Sequence, residues 1–437
     1  MKMIFLKKLH ISSVCFILLS GNYCCAQDLL FIKDSLTLTS GLEFYVKGGV
    51  KSEGGAALQN NGTIYIKTDS AFGGEDWTNN VSPNLMSGVG KVVFMSSEQQ
   101  LIGGTDTTKF FNIEIINTSN TGIILGKSII VQDTLFLIDG IVNTDTNKVI
   151  ITNTDSASIS GYQQGATTPS FINGNLRRYA DNLNNSYGFP VGENGVYYLQ
   201  EIEINSINGI INYFDSHFGP LVNHLDVDLN VTEDGKSYNT VCNEGVWHLV
   251  PNQQASSISY DCWSYIGNFT NCNVLDNYFA ILTRPDASMT AADWDCNNCG
   301  IGAGLNPDNG DGRLVSNGYA LRKNLNSFSQ FGIGKMVDMQ DSVVVDVEFF
   351  IPNMITPNSD GKNDFFQIAG LEKFPNNQLI IMNRWGNMVF ESGPYQNQWN
   401  GQSQLTGETL TNGTYFYLLK LNDESKGVYT GYVEILK

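Results

Sequence analysis

The chain has 437 residues, a length that fits about three domains of ordinary size. It carries 43 acidic against 25 basic residues, a net charge of −18 with no basic run, which sets nucleic acid and other polyanions aside as partners. Only 16% of residues are charged while glycine alone occurs 44 times, a composition suited to β-rich extracellular modules rather than helical enzymes.

Residues 1–26 open with Lys2, Lys7 and Lys8, pass through an apolar run from Ile11 to Leu19 and end in Cys24, Cys25 and Ala26. That order predicts a secretory leader cleaved after Ala26, and Tyr23 ahead of Cys24 argues against a lipoprotein signal. The run is too short to span a bilayer and no other stretch approaches 20 apolar residues, so no transmembrane helix is expected.

Residues 27–170 repeat short strands separated by Gly, Asn or Asp, with almost no helical period. One unit, Asp34 to Leu42, recurs as Asp133 to Ile141. Units this small cannot bury an apolar face alone and must stack, so an all-β chain beginning in a β-solenoid is predicted, with a β-sandwich as the alternative. The region has neither histidine nor arginine. Without an imidazole to titrate near neutral pH no catalytic relay is expected there, although a lysine base such as Lys127 stays open. Carboxylate pairs for glycoside hydrolysis also stay open, because their separation is a property of the fold.

Residues 171–339 continue the β-rich pattern, with strands expected at 197–204, 245–250 and 278–283. All five cysteines beyond the leader fall here: Cys242, Cys262, Cys272, Cys296 and Cys299. Export favours disulfides, and five thiols allow at most two bridges whose pairing the sequence does not fix. The preferred reading joins Cys262 to Cys272 and Cys296 to Cys299, leaving Cys242 free. A zinc or redox role for Cys296 and Cys299 lacks both a second such pair and an α/β context.

Residues 348–437 carry five landmarks. They are a polar turn with Thr356, Pro357, Asn358, Asp360, Gly361, Asn363 and Asp364; a turn at Asn383, Arg384, Trp385 and Gly386 between apolar runs; Trp399 with Gly401; an aromatic strand with Gly413 and Tyr415; and Gly431 with Tyr432 near the end. Glycine, proline and asparagine punctuate turns, and the apolar runs between them read as the strands of an Ig-like sandwich of about 7 strands.

In this order the landmarks resemble the type B sorting domain of the type IX secretion system, the gliding motility-associated C-terminal domain. Ser359 stands where the family usually has glycine and Asn400 where aspartate is common, and both residues also suit turns. The resemblance implies export across the outer membrane by the type IX machinery, via the periplasm, to the cell surface or beyond. The stacked strands look like the β-helical surface proteins that often precede such domains, and through Asn173 to Arg178, Tyr187 to Gly192, Gly318 to Arg322 and Ser327 to Gly334 residues 171–339 resemble the linking β-sandwich of the same proteins. The expected function is therefore a non-enzymatic, adhesin-like surface protein that contacts glycans or other proteins. The alternative is a secreted carbohydrate-active enzyme or glycan-binding module.

Two further features are legible. Asn358, Asp360 and Asp364 around Gly361, and less completely Asp308, Asn309 and Asp311, could gather oxygens for Ca²⁺, or could simply hold turns. Ser35, Ser70, Thr107, Thr134, Ser156 and Ser342, each preceded by aspartate, resemble the O-glycan acceptor motif of surface proteins in the same bacteria, although such pairs are also ordinary turn residues.

Overall fold

Alternation of apolar and polar residues puts every second side chain on one face of a strand. In the computed structural model this alternation builds parallel ladders. The structure describes the chain except residues 1–3, 7–8, 12–14, 17–22, 27–28, 69–75, 83–84, 166, 181–184, 222–226, 234–235, 271, 287, 297–311, 338–349, 359–361, 372–373, 424–425 and 437. It forms two compact units, residues 1–339 and 340–437.

In the first unit, one ladder runs through Leu30, Val50, Trp77, Ile102 and Leu125. A second runs through Phe44, Ile64, Val92, Ile113, Leu135 and Ile159. The third face is made first by Leu36, Leu58 and Met86, then by Thr108, Ile129, Val149 and Leu176. Apart from Met86, all of these are buried, so like residues stack along the interior. At the corners the buried amides of Asn60, Asn79 and Asn117 donate to the carbonyls of Lys91, Thr107 and Glu98, and their oxygens accept the amides of Gly62, Val81 and Ser119. Each corner thus satisfies its own polar groups, as burial requires.

The expected leader is part of this arrangement. Strands Leu9–Ile11, Cys15–Phe16 and Tyr23–Ala26 pair in parallel with the next turn of chain, setting Leu9 beside Leu30, Cys15 beside Leu36 and Cys24 beside Phe44. An open ladder edge accepts any extended apolar segment that reaches it.

There is no gap at residue 170. Strand Ser170–Asn173 pairs in parallel with Ser186–Glu193, which continues antiparallel into Val196–Asn208, Ser257–Tyr265 and Tyr319–Leu325. Strand Leu176–Tyr179 likewise pairs antiparallel with Tyr213–Gly219, followed by Val246–Pro251 and Gln330–Val337. The last of these also pairs with Phe279–Arg284 and Lys236–Val241. Two faces of the stack therefore become the two layers of the middle region, and one apolar core extends from Leu30 to Ile333.

The second unit is a five-stranded sheet. Gln378–Met382, Met388–Ser392, Gly413–Asp423 and Lys426–Ile435 are antiparallel, and Met354–Ile355 joins the edge in parallel. Isolated bridges at Phe350–Ala369 and Gln402–Thr409 add to it, and where about seven strands were expected five are formed among the described residues.

Candidate functional site

Four of the C-terminal landmarks meet at Trp399. Its ring is buried, edge-on to Phe366 (6.1 Å) and Tyr415 (6.4 Å) and tilted against Phe390 (6.2 Å). The indole nitrogen donates to the Gln402 carbonyl (3.0 Å), and the Trp399 carbonyl accepts the Phe366 amide (2.8 Å). Gly401 has φ 75°, and a Cβ there would come within 3.3 Å of Ile435 and 3.4 Å of Pro357. Gly431 lies across from Tyr417, whose hydroxyl would be 2.4 Å from an added Cβ, so only glycine lets that ring cross the strand. Gly413 opens its strand at φ 143°.

The remaining landmarks face outward. Asn383 Oδ1 accepts the amides of Trp385 and Asn387 (3.0 Å each), and Gly386 closes the turn at φ 80°. This leaves Trp385 74% exposed with the Arg384 guanidinium 5.0 Å from its ring centre. On the outer sheet face, Met382, Phe416 and Tyr432 stand in register, the last two 46% and 48% exposed. Exposed apolar groups gathered in this way mark contact surfaces.

The polar turn holds itself. The Thr356 amide donates to the Asn363 carbonyl (2.8 Å), Asn363 has φ 53°, and the Asn358 amide donates to Asp364 Oδ1 (3.0 Å). Asn358 and Asp364 thus meet through an amide. Asp360 and Gly361, like Asp308, Asn309 and Asp311, lie outside the described residues.

The family model of the CHU_C Type IX secretion signal domain matches residues 349–435. This segment is a type IX secretion signal domain. It makes the chain a cargo of the type IX system, carried to the cell surface or the extracellular space with the secretion machinery as its partner. No curated protein and no solved structure matches the chain. Among the described residues, no helix is long and apolar enough to cross a membrane. The landmarks of the signal domain divide by role: Trp399, Gly401 and Tyr415 make its fold, whereas Arg384, Trp385 and Tyr432 are presented to the outside.

The cysteines of the middle region correct the expected pairing. Cys242 is bonded to Cys272, with Cα atoms 5.4 Å apart, and Cys262 is free. Cys262 lies at an inward position of its strand, where burial pushes the thiol up to about 12; Cys272 lies beyond that strand, near the end of Lys236–Val241. Glu244 Oε1 accepts the Cys272 amide (2.7 Å), and although Cys242, Glu244 and Cys272 sit within metal-ligating distance of one another, the cross-link engages both sulfurs. Cys296 is disulfide-bonded, while Cys299 lies outside the described residues. Closing a loop of 30 residues should contribute about 3–4 kcal/mol. Non-reducing peptide mapping is expected to recover a Cys242–Cys272 peptide and to alkylate Cys262 only after unfolding; a Cys262–Cys272 peptide would refute the assignment.

Of the O-glycan candidates, Ser35, Thr107, Thr134 and Ser156 are half-buried, and Asp155 next to Ser156 accepts the Ala157 amide (2.8 Å) to cap a short helical turn. Ser70 and Ser342 lie outside the described residues.

Clusters invisible in the sequence appear between and outside the two layers. Glu233, 2% exposed, accepts from Arg322 Nη1 and Nη2 (3.0 and 2.9 Å), from Arg313 Nη2 (3.2 Å) and from the Tyr238 hydroxyl. Burial alone would raise its carboxyl, but the two guanidinium groups, Arg322 foremost, hold it down to about 2. His217 stacks on His248 (4.2 Å), whose Nδ1 lies 2.6 Å from Asp286 Oδ1; burial and the His248 imidazole pull His217 down to about 4 against the opposing effect of Asp286. An open groove of about 570 Å³ is lined by Thr283, Arg284, Asp293, Asp295, Asn326 and Phe328 among others. An arginine at a strand position that should face inward, as Arg322 does, is the one sequence signal that could have pointed to the first cluster.

Proposed function

We propose that the chain is a non-catalytic, adhesin-like surface protein, made with a cleavable leader at residues 1–26. In this reading residues 29–179 form a β-solenoid that spaces and presents the middle sandwich, and the signal domain delivers both. The observation that carries it is the stack itself: three parallel faces around one apolar core, with outward side chains such as Tyr45 stacked on Tyr65 (4.4 Å) and no histidine from residue 27 to 216. Flat polar faces suit many weak contacts better than they suit a cleft in which a carboxylate or lysine is tuned for proton transfer. The outward set around Arg384, Trp385, Phe416 and Tyr432 is the surface offered to the secretion machinery.

The test is a screen of the purified mature chain against plant, algal and bacterial polysaccharides, run beside a glycan array. Binding without turnover supports this reading. Turnover abolished by one Asp, Glu or Lys substitution would replace it with the carbohydrate-active enzyme.

A further inference from the structure

The outer face of the sheet built from Ser186–Glu193, Val196–Asn208, Ser257–Tyr265 and Tyr319–Leu325 carries a carboxylate ringed by aromatic side chains. Alternation on the long strand puts Tyr197, Leu199, Glu201 and Glu203 on this face. Trp263 stands directly across from Glu201, Asp261 across from Glu203, and Gly188 across from Glu201 on the other side. Tyr162 reaches in from the preceding loop, and its hydroxyl would lie 2.0 Å from a Cβ on Gly188, so the glycine makes room for it. Tyr265 packs beside Tyr319 (5.7 Å), and Phe171 beside Tyr197 (5.5 Å).

Glu201 is 7% exposed and accepts hydrogen bonds from the Tyr265 hydroxyl (3.0 Å) and from Gln164 Nε2 (2.8 Å). Burial pushes its carboxyl above the ordinary range despite those donors. The Tyr162 hydroxyl and the buried Arg178 guanidinium also act on this carboxylate and favour its charged form. The rings beside it are not sealed: Tyr162, Trp263 and Tyr319 stay half-exposed.

This combination has a chemical counterpart. The carbon-bearing face of a pyranose ring is apolar and stacks on an aromatic plane, while its rim of hydroxyls donates to carboxylates and exchanges hydrogen bonds with amide and phenol groups. Glu203 and Asp261 on the same face would repel an acidic sugar. We propose that this face binds a neutral oligosaccharide, with Trp263 as the stacking platform and Glu201, oriented by Tyr265 and Gln164, as the acceptor for sugar hydroxyls. The proposal deepens the adhesin reading and rests on it for its purpose at the cell surface.

Calorimetry on the full mature chain tests it, with cellohexaose, laminarihexaose and mannohexaose as neutral probes, hexagalacturonate as the anionic probe and an oligolysine peptide as the protein-like competitor. At least one neutral hexaose is expected to bind, unaffected by oligolysine, and hexagalacturonate is expected not to. Trp263→Ala should weaken binding roughly tenfold or more, as truncating a central aromatic anchor does, and Trp263→Phe should retain most of it. Glu201→Gln should weaken it also, and Leu405→Ala, at an exposed side chain of the second unit, should leave it unchanged. Should Glu201→Gln fail to fold, the two Trp263 variants still decide. Failure of every neutral hexaose to bind, unchanged binding by Trp263→Ala, or displacement by oligolysine would overturn the site. A protein displayed on cells that binds none of the sugars sinks this proposal alone; a protein that binds them but never reaches the surface sinks the delivery reading alone.

Discussion

Replacing Trp399 with alanine is expected to remove the protein from the cell surface. The ring is buried among Phe366, Phe390 and Tyr415, and its indole nitrogen has one partner, the Gln402 carbonyl. Truncating a buried tryptophan costs about 3–5 kcal/mol. At roughly 0.05–0.15 kcal/mol per residue, a domain of this size holds about 4 to 13 kcal/mol in total. The change therefore removes a large share of the signal domain's stability, and a signal whose core is loosened no longer holds Trp385, Phe416 and Tyr432 in one arrangement. Cell fractionation with protease shaving is the measurement. Trp399→Ala and deletion of residues 348–437 should both leave the protein in the periplasm, and undiminished surface display of either would refute the prediction. Trp385→Ala, at a side chain 74% exposed, should instead keep the fold and report on contact with the machinery alone.

Glu233→Gln is expected to be the most damaging single change in the first unit. It leaves Arg313 and Arg322, both fully buried, without the carboxylate they share, and breaking a buried ion pair in this way costs about 3–5 kcal/mol. The pH dependence follows from the same contacts. A glutamate in the unfolded chain titrates near 4.3, and in the folded chain Glu233 titrates at about 2. Because the folded value is the lower one, the stabilisation is fully present above the unfolded value and is lost as pH falls from about 4.3 to 2, a total of about 3 kcal/mol. Urea unfolding of the first unit at pH 7, 4 and 3 should show the wild type weakening across that window. The variant should start low and change less. A variant as stable as wild type at pH 7 would show that Glu233 does not hold the layers together.

What the sequence revealed depended on how local the signal was. The signal domain was legible because its landmarks are turn residues and buried aromatics whose roles are set within a few positions, as at Asn383 and Gly386. The stacked strands were legible from alternation, yet the explicit repeat misled in detail. Leu36 of the first copy belongs to the third face and Leu135 of the second copy to another, so the two are not equivalent positions. Disulfide pairing was not legible, because alternation turned Cys262 into the core while a chain reversal brought Cys272 to Cys242. Glu233 and Arg322 are 89 positions apart, and only the packing of one layer on the other introduces them. The expected boundary at residue 170 falls inside a shared core: pairing stays parallel through Ser170–Asn173 and turns antiparallel only after Leu176–Tyr179 and Ser186–Glu193, which composition does not register.

The strand Gln330–Val337 has a mechanical consequence. It is the last described strand of the first unit and is hydrogen-bonded to Lys236–Val241, Val246–Pro251 and Phe279–Arg284. A pull applied to Val337 along the strand axis would load these hydrogen bonds together in shear instead of unzipping them one at a time. A tether at this end therefore grips the first unit by an interior strand, and a steady drag on the chain is shared across the sheet before any ladder opens.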